Sequence, residues 1–96
     1  MSDVIEAAVA AMAEKVSGQS IGGSVKFVIE DAGAIVVDDE GVRADEGEAD
    51  VTLTADQETF QGMLSGDVNP TAAFMSGKLK VEGDMGLAMK LGSILG

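Results

Sequence analysis

The stretch AFMSGKLKVEGDMGLAMKL, residues 73–91, holds two helical ends with a strand between them. Asn69 is a helix cap and Pro70 suits the first helical position, so a short helix runs through Ala73, Phe74 and Met75 and stops at Gly77. Lys78-Leu79-Lys80-Val81-Glu82 then alternates polar and apolar side chains, the period of a strand with one buried face. Asp84 can cap a last helix carrying Met85, Leu87, Ala88, Met89, Leu91, Ile94 and Leu95. Those apolar residues surround much of the helix, which is more than one packed face uses. Such a helix is fully buried, lines a cavity or meets a partner.

Working towards the N-terminus, Thr54 with Gln57 forms a capping box for a helix whose apolar face is Phe60, Met63 and Leu64 and which ends at Gly66. Before it, Val51-Thr52-Leu53-Thr54 is a β-branched, alternating strand. Residues 24–30 alternate through Val25, Phe27 and Ile29, residues 34–38 form a second strand, and a short third lies around Val42-Arg43-Ala44. Turns at Asp31-Ala32-Gly33 and Asp39-Glu40-Gly41 join them as tight hairpins. Residues 3–17 read as an amphipathic helix with Ile5, Val9, Met12 and Val16 on one stripe, a box on Asp3 and Glu6, and Gly18 at its end. Strands grouped apart from helices argue an α+β fold, one domain over residues 1–96. The expected sheet is five-stranded and mainly antiparallel, with helices packed on it. Its first four strands are expected as an antiparallel meander, with the fifth at an edge or between earlier strands.

The composition removes whole classes of chemistry. The 96 residues include no Cys and no His, so there is no thiol nucleophile, no imidazole base and no Cys/His zinc site. The expectation is no enzyme, no cofactor and no metal. Seventeen acidic residues face six basic ones, a net charge of −11. Such a chain repels phosphate backbones, so nucleic acid is not expected as a partner, and long-range attraction to anionic lipid is disfavoured. No apolar run reaches the ~18–20 residues that span a bilayer. Met1-Ser2-Asp3 has no basic start of a signal peptide, and Ile94-Leu95-Gly96 is no peroxisomal address, so the expected location is the cytoplasm.

The acidic runs Asp38-Asp39-Glu40 and Asp45-Glu46-Gly47-Glu48 fail the EF-hand test: with Gly41 or Gly47 at position six, position one is Val36 or Val42. They read as solvated turns. Gly77-Lys78 fails as a phosphate loop, because Ala72 and Leu79 stand where Gly and Ser or Thr are needed. Glu30 and Glu82 lie on polar strand faces and read as solvated rather than as an acid–base pair. Met63, Met75, Met85 and Met89 gather in the C-terminal half near Phe60 and Phe74. They serve equally as core, or as the adaptable wall of a cavity or interface.

Residues 73–91, together with Ala49 to Thr54 and Gly66 to Pro70, resemble the sterol carrier protein type 2 family, the likeness being close from Ala73 to Leu91. The first 48 residues fit by element order and by Gly23-Ser24-Val25-Lys26-Phe27. A prokaryotic stand-alone member fits best. The resemblance implies five strands and several helices around a hydrophobic tunnel, no catalytic residues, and carriage of sterols, fatty acids, fatty acyl-CoA or phospholipids. On that basis the expected lipid-binding walls are Phe27, Ile29, Val51, Leu53 and Val81 from strands, and Phe60, Leu64, Phe74, Met75, Met85, Met89, Leu91 and Ile94 from helices. The final helix is the expected gate. Lys78, Lys80 and Lys90 hold half of the positive charge, and either meet an anionic head group or form a solvated face. The expected partner is a lipid or fatty acyl ligand, with room for transient membrane contact, in a monomer or weak homodimer. The competing reading is an interaction or dimerisation module without cargo. A carrier requires an internal cavity of ~300–1,000 Å³, an interaction module a filled core and a surface patch.

Overall fold

The computed structural model describes residues 3–95. The chain runs α1 (Asp3–Val16), β1 (Val25–Ile29), β2 (Gly33–Asp38), β3 (Gly41–Ala44), β4 (Val51–Ala55), α2 (Gln57–Ser65), α3 (Pro70–Met75), β5 (Leu79–Gly83) and α4 (Met85–Leu95). Every element expected from the sequence is present in the expected order. The side chain of Asp3, invoked for a capping box, and that of Leu95 lie outside the described part.

The sheet order is β3-β2-β1-β4-β5. β1, β2 and β3 form the expected hairpins, and β5 takes an edge, antiparallel to β4. The four-strand meander is corrected: β4 does not follow β3 but passes to the far side of β1 and pairs with it in parallel. The acidic stretch 45–50 makes this move. It must pass three strand spacings, about 14 Å, within the reach of six extended residues, about 20 Å. It is held where it crosses. Lys26 Nζ donates to the Glu46 carbonyl at 3.0 Å, and the Asp45 amide donates to Ala34 O at 3.2 Å. Ser24 and Asp50 grip each other through Ser24 N to Asp50 Oδ2 at 3.1 Å and Asp50 N to Ser24 Oγ at 3.0 Å.

Asp39 is similarly structural rather than simply solvated. Its carboxylate accepts from the Ile21 amide at 2.6 Å and from the Gly22 amide at 3.1 Å, pinning the α1–β1 connection. Burial would raise the Asp38 carboxyl, but hydrogen bonds from Arg43 and from the Glu40 and Gly41 amides outweigh it and hold it below the ordinary range.

One face of the sheet carries the core. Val25, Phe27 and Ile29 of β1 and Val51, Leu53 and Ala55 of β4 share a cluster with Ala8, Met12 and Val16 of α1, Phe60 and Met63 of α2, Ala73 of α3 and Leu91 of α4. Phe27 and Phe60 meet edge to face with ring centres 5.2 Å apart, a favoured aromatic geometry.

The cap of α2 is Asp56, not Thr54. Thr54 is still in the ladder, opposite Val28 and Lys80, because β4 runs on to Ala55. The Thr59 amide donates to Asp56 Oδ1 at 2.6 Å, and the bonds from Thr59 lower the Asp56 pKa. A carboxyl lowered in the folded state stabilises fully above its unfolded pKa and loses that contribution as pH falls through the folded value. Asp56→Ala is therefore expected to melt below wild type at pH 7. The gap should narrow below about pH 4. Thermal melts across pH check this; a gap unchanged in acid would remove the charged carboxylate as its cause.

Candidate functional site

The register of the sheet sets the floor of a cavity. Phe27 lies opposite Leu53, and Leu53 opposite Val81, so one lateral row crosses β1, β4 and β5 on the core face. All three line a cavity of about 650 Å³, with Leu79 from the neighbouring row and Met63 from α2. The roof is α3 and α4. α3 and its cap contribute Asn69, Pro70, Thr71, Phe74 and Met75, and α4 contributes Met85, Ala88, Met89, Gly92 and Ser93.

The geometry of α4 explains why it is apolar nearly all round. Leu87, Leu91 and Ile94, at i, i+4 and i+7, pack against the core. Met85, Ala88, Met89 and Gly92, at i, i+3, i+4 and i+7, form a second stripe that faces the cavity. The helix is held at its start by Asp84, whose Oδ1 accepts from the Leu87 amide at 3.2 Å. α3 is fixed likewise: Asn69 Oδ1 accepts from the amides of Thr71 at 2.8 Å and Ala72 at 3.2 Å. Both caps were legible in the sequence.

The lining is apolar apart from Asn69, Thr71 and Ser93, and holds no ionisable side chain. Its mouth is wet. Met75 is 81% exposed, Met89 71%, and Phe74 and Met85 44% each. A volume of 650 Å³ lies within the usual range for small-molecule sites.

Of the side chains expected to meet lipid, the structure brings Phe27, Leu53, Phe74, Met75, Val81, Met85 and Met89 together around the cavity. Ile29, Val51, Phe60 and Leu91 lie in the packed core instead, and Leu64 and Ile94 pack against it. Ile29 and Val51 belong to rows on either side of the Phe27 row, and Leu91 and Ile94 to the other stripe of α4. Leu79, Ala88 and Pro70 are lining residues that sequence reasoning did not assign, and Met63, which it leaves open between core and cavity wall, is in the lining too. Leu79 was within reach, since it alternates with Val81 on one face. The three lysines are not in the lining: Lys80 pairs opposite Thr54, Lys78 acts on Asp56, and Lys90 Nζ lies beside Gly22. Among the described residues no group of three or more Asp and Glu stands close enough to hold a metal ion, and no helix is long and apolar enough to cross a membrane.

A mixed five-stranded sheet with helices on its core face is the architecture of sterol carrier protein domains. The sterol carrier protein domain 2 of Helicoverpa armigera superposes with a TM-score of 0.76 at 27% identity, over 96% of this chain and 84% of that one. Palmitated SCP2L2 from Aedes aegypti superposes with a TM-score of 0.74 at 25% identity, over 99% and 95%. The chain belongs to the SCP-2 sterol transfer family, whose model matches residues 5–96. Hydroxysteroid dehydrogenase-like protein 2 of Xenopus tropicalis is 58% identical over 48 residues, which are 50% of this chain and 12% of that protein. The chain thus spans a small part of the length of that relative.

Proposed function

We propose that the chain binds a single long-chain lipid, a fatty acid or its ester, in the cavity under α3 and α4, and transfers it as a non-catalytic carrier. The observation that carries this is a cavity of about 650 Å³ without an ionisable group in its lining, in a chain of this family. The palmitate held by the Aedes aegypti relative supports an acyl chain as cargo. Apolar burial drives binding, at about 0.8 kcal/mol per methylene. The carboxylate or other head group stays at the wet mouth, between Met75 and Met89. α4 serves as the gate, since one of its stripes can leave the cargo while the other stays on the core. Transfer involves brief contact with a membrane, and the carrier acts as a monomer or weak homodimer.

The test combines native mass spectrometry with a ladder of saturated fatty acids. One lipid per chain is expected. Dissociation constants should fall about fourfold per added methylene and level off once the cavity is full. Constants independent of chain length would overturn apolar burial as the driving force. A lipid-free dimer that takes up no fatty acid would favour an interaction module instead.

A further inference from the structure

Four of the six methionines of the chain, Met63, Met75, Met85 and Met89, line this one cavity. We propose that the cavity reduces hydroperoxides of the acyl chains it holds, with these thioethers as the oxygen acceptors; the proposal rests on the acyl-chain reading above. Leucine would make the lining as apolar. What methionine adds is a polarizable sulfur that accepts oxygen, in a chain with no cysteine. The four side chains are also graded in exposure. Met63 is only 1% exposed, Met85 is 44%, Met89 71% and Met75 81%. A hydroperoxide carried at different positions along a bound chain therefore meets thioethers from the cavity interior to its mouth.

The step is a two-electron oxygen transfer. A sulfur lone pair attacks the distal peroxide oxygen, the S–O bond forms, and the O–O bond breaks. The peroxide proton passes through solvent to the departing alkoxide. The thioether becomes a sulfoxide and the acyl hydroperoxide becomes the alcohol, with no further reductant. Each methionine reacts once and is restored by sulfoxide reductases. The new sulfoxide dipole makes the lining more polar, which weakens its hold on the acyl chain and favours release of the alcohol.

Met12 supplies an internal control. It is 0% exposed, packed in the core on α1 and outside the cavity. Aqueous hydrogen peroxide should oxidise Met75 and Met89 first and spare Met63 and Met12 alike. Mixed regioisomers of linoleic acid hydroperoxide, at saturating concentration, should oxidise Met63 at least about tenfold faster than Met12. One alcohol should form per sulfoxide, and excess palmitate should suppress both. Peptide mass spectrometry reads each site, and chromatography reads the alcohol. Palmitate binding together with equal rates at Met63 and Met12 would overturn the proposal and leave the carrier reading standing. Failure to bind palmitate would overturn both.

Discussion

Replacing Gly83 by alanine is expected to destabilise the fold by about 2–4 kcal/mol through strain and a lost hydrogen bond, with a backbone collision added to that. Gly83 ends β5 opposite Val51, with φ at +114°, a backbone conformation that costs a residue with a side chain about 1–3 kcal/mol. A Cβ there would stand 2.5 Å from the Asp50 carbonyl oxygen and 2.9 Å from Val51 Cα. Both are backbone atoms of the β4 side, so relief requires the strands to part. The Asp84 amide donates to that same Asp50 oxygen at 3.1 Å, and this bond is lost as well, at about 1 kcal/mol. The total is a large share of the roughly 5–15 kcal/mol that holds a domain folded. Gly41→Ala separates strain from collision: its φ is +134°, yet nothing lies within 4 Å of the added carbon. It is expected to cost only the strain, about 1–3 kcal/mol. Urea unfolding of the two variants decides; equal losses would show that the approach of β5 to Asp50 is not tight. Because β5 carries Leu79 and Val81 and leads into α4, Gly83→Ala should also impair the cavity.

What was legible in the sequence was local. Strand alternation, the Asn69-Pro70 and Asp84 caps and the Gly66 stop are each decided by a few neighbouring residues, and each stands where expected. The placement of β4 was not legible. Val51 to Ala55 would read the same beside β3 or beside β1, and the choice is made by long-range contacts such as Lys26 to Glu46 and Ser24 to Asp50. The sequence leaves the α2 cap undecided for a related reason: Thr54 and Asp56 are both competent caps, and the ladder to β5 claims Thr54. The cavity was half legible. Phe74, Met75, Met85 and Met89 could be assigned because their segment had apolar surface to spare. Leu91 and Val51 have the same chemistry but are fully buried in the core, and Ile94 packs against it. Hydrophobicity alone does not tell a wall from a core. The residues of α4 do sort by stripe: Leu87, Leu91 and Ile94 on the packed one, Met85, Met89 and Gly92 on the open one, and Ala88 in the lining while also touching the core.

That division makes the second large effect specific. Ala88→Phe is expected to weaken palmitate binding at least about 100-fold while leaving the fold as stable as before or more so. Ala88 lines the cavity and is half-buried where the lining meets the core. A phenyl ring there takes the place of roughly four methylenes of cargo, at about 0.8 kcal/mol each, or about 3 kcal/mol of lost binding. The ring itself gains apolar contacts with the lining, which offsets the strain of a larger side chain. Leu91→Ala, three residues on but on the packed stripe, should do the reverse. Leu91 is fully buried, so its truncation costs about 2–5 kcal/mol of stability. The palmitate affinity of the folded protein should change by only a few-fold, since Leu91 is not in the lining. Titration with palmitate and a melt on each variant give four numbers. Binding lost together with stability in both variants would mean that α4 has a single apolar face serving core and cargo alike. Binding lost in Ala88→Phe at full stability would place the cargo between α4 and the Phe27-Leu53-Val81 row.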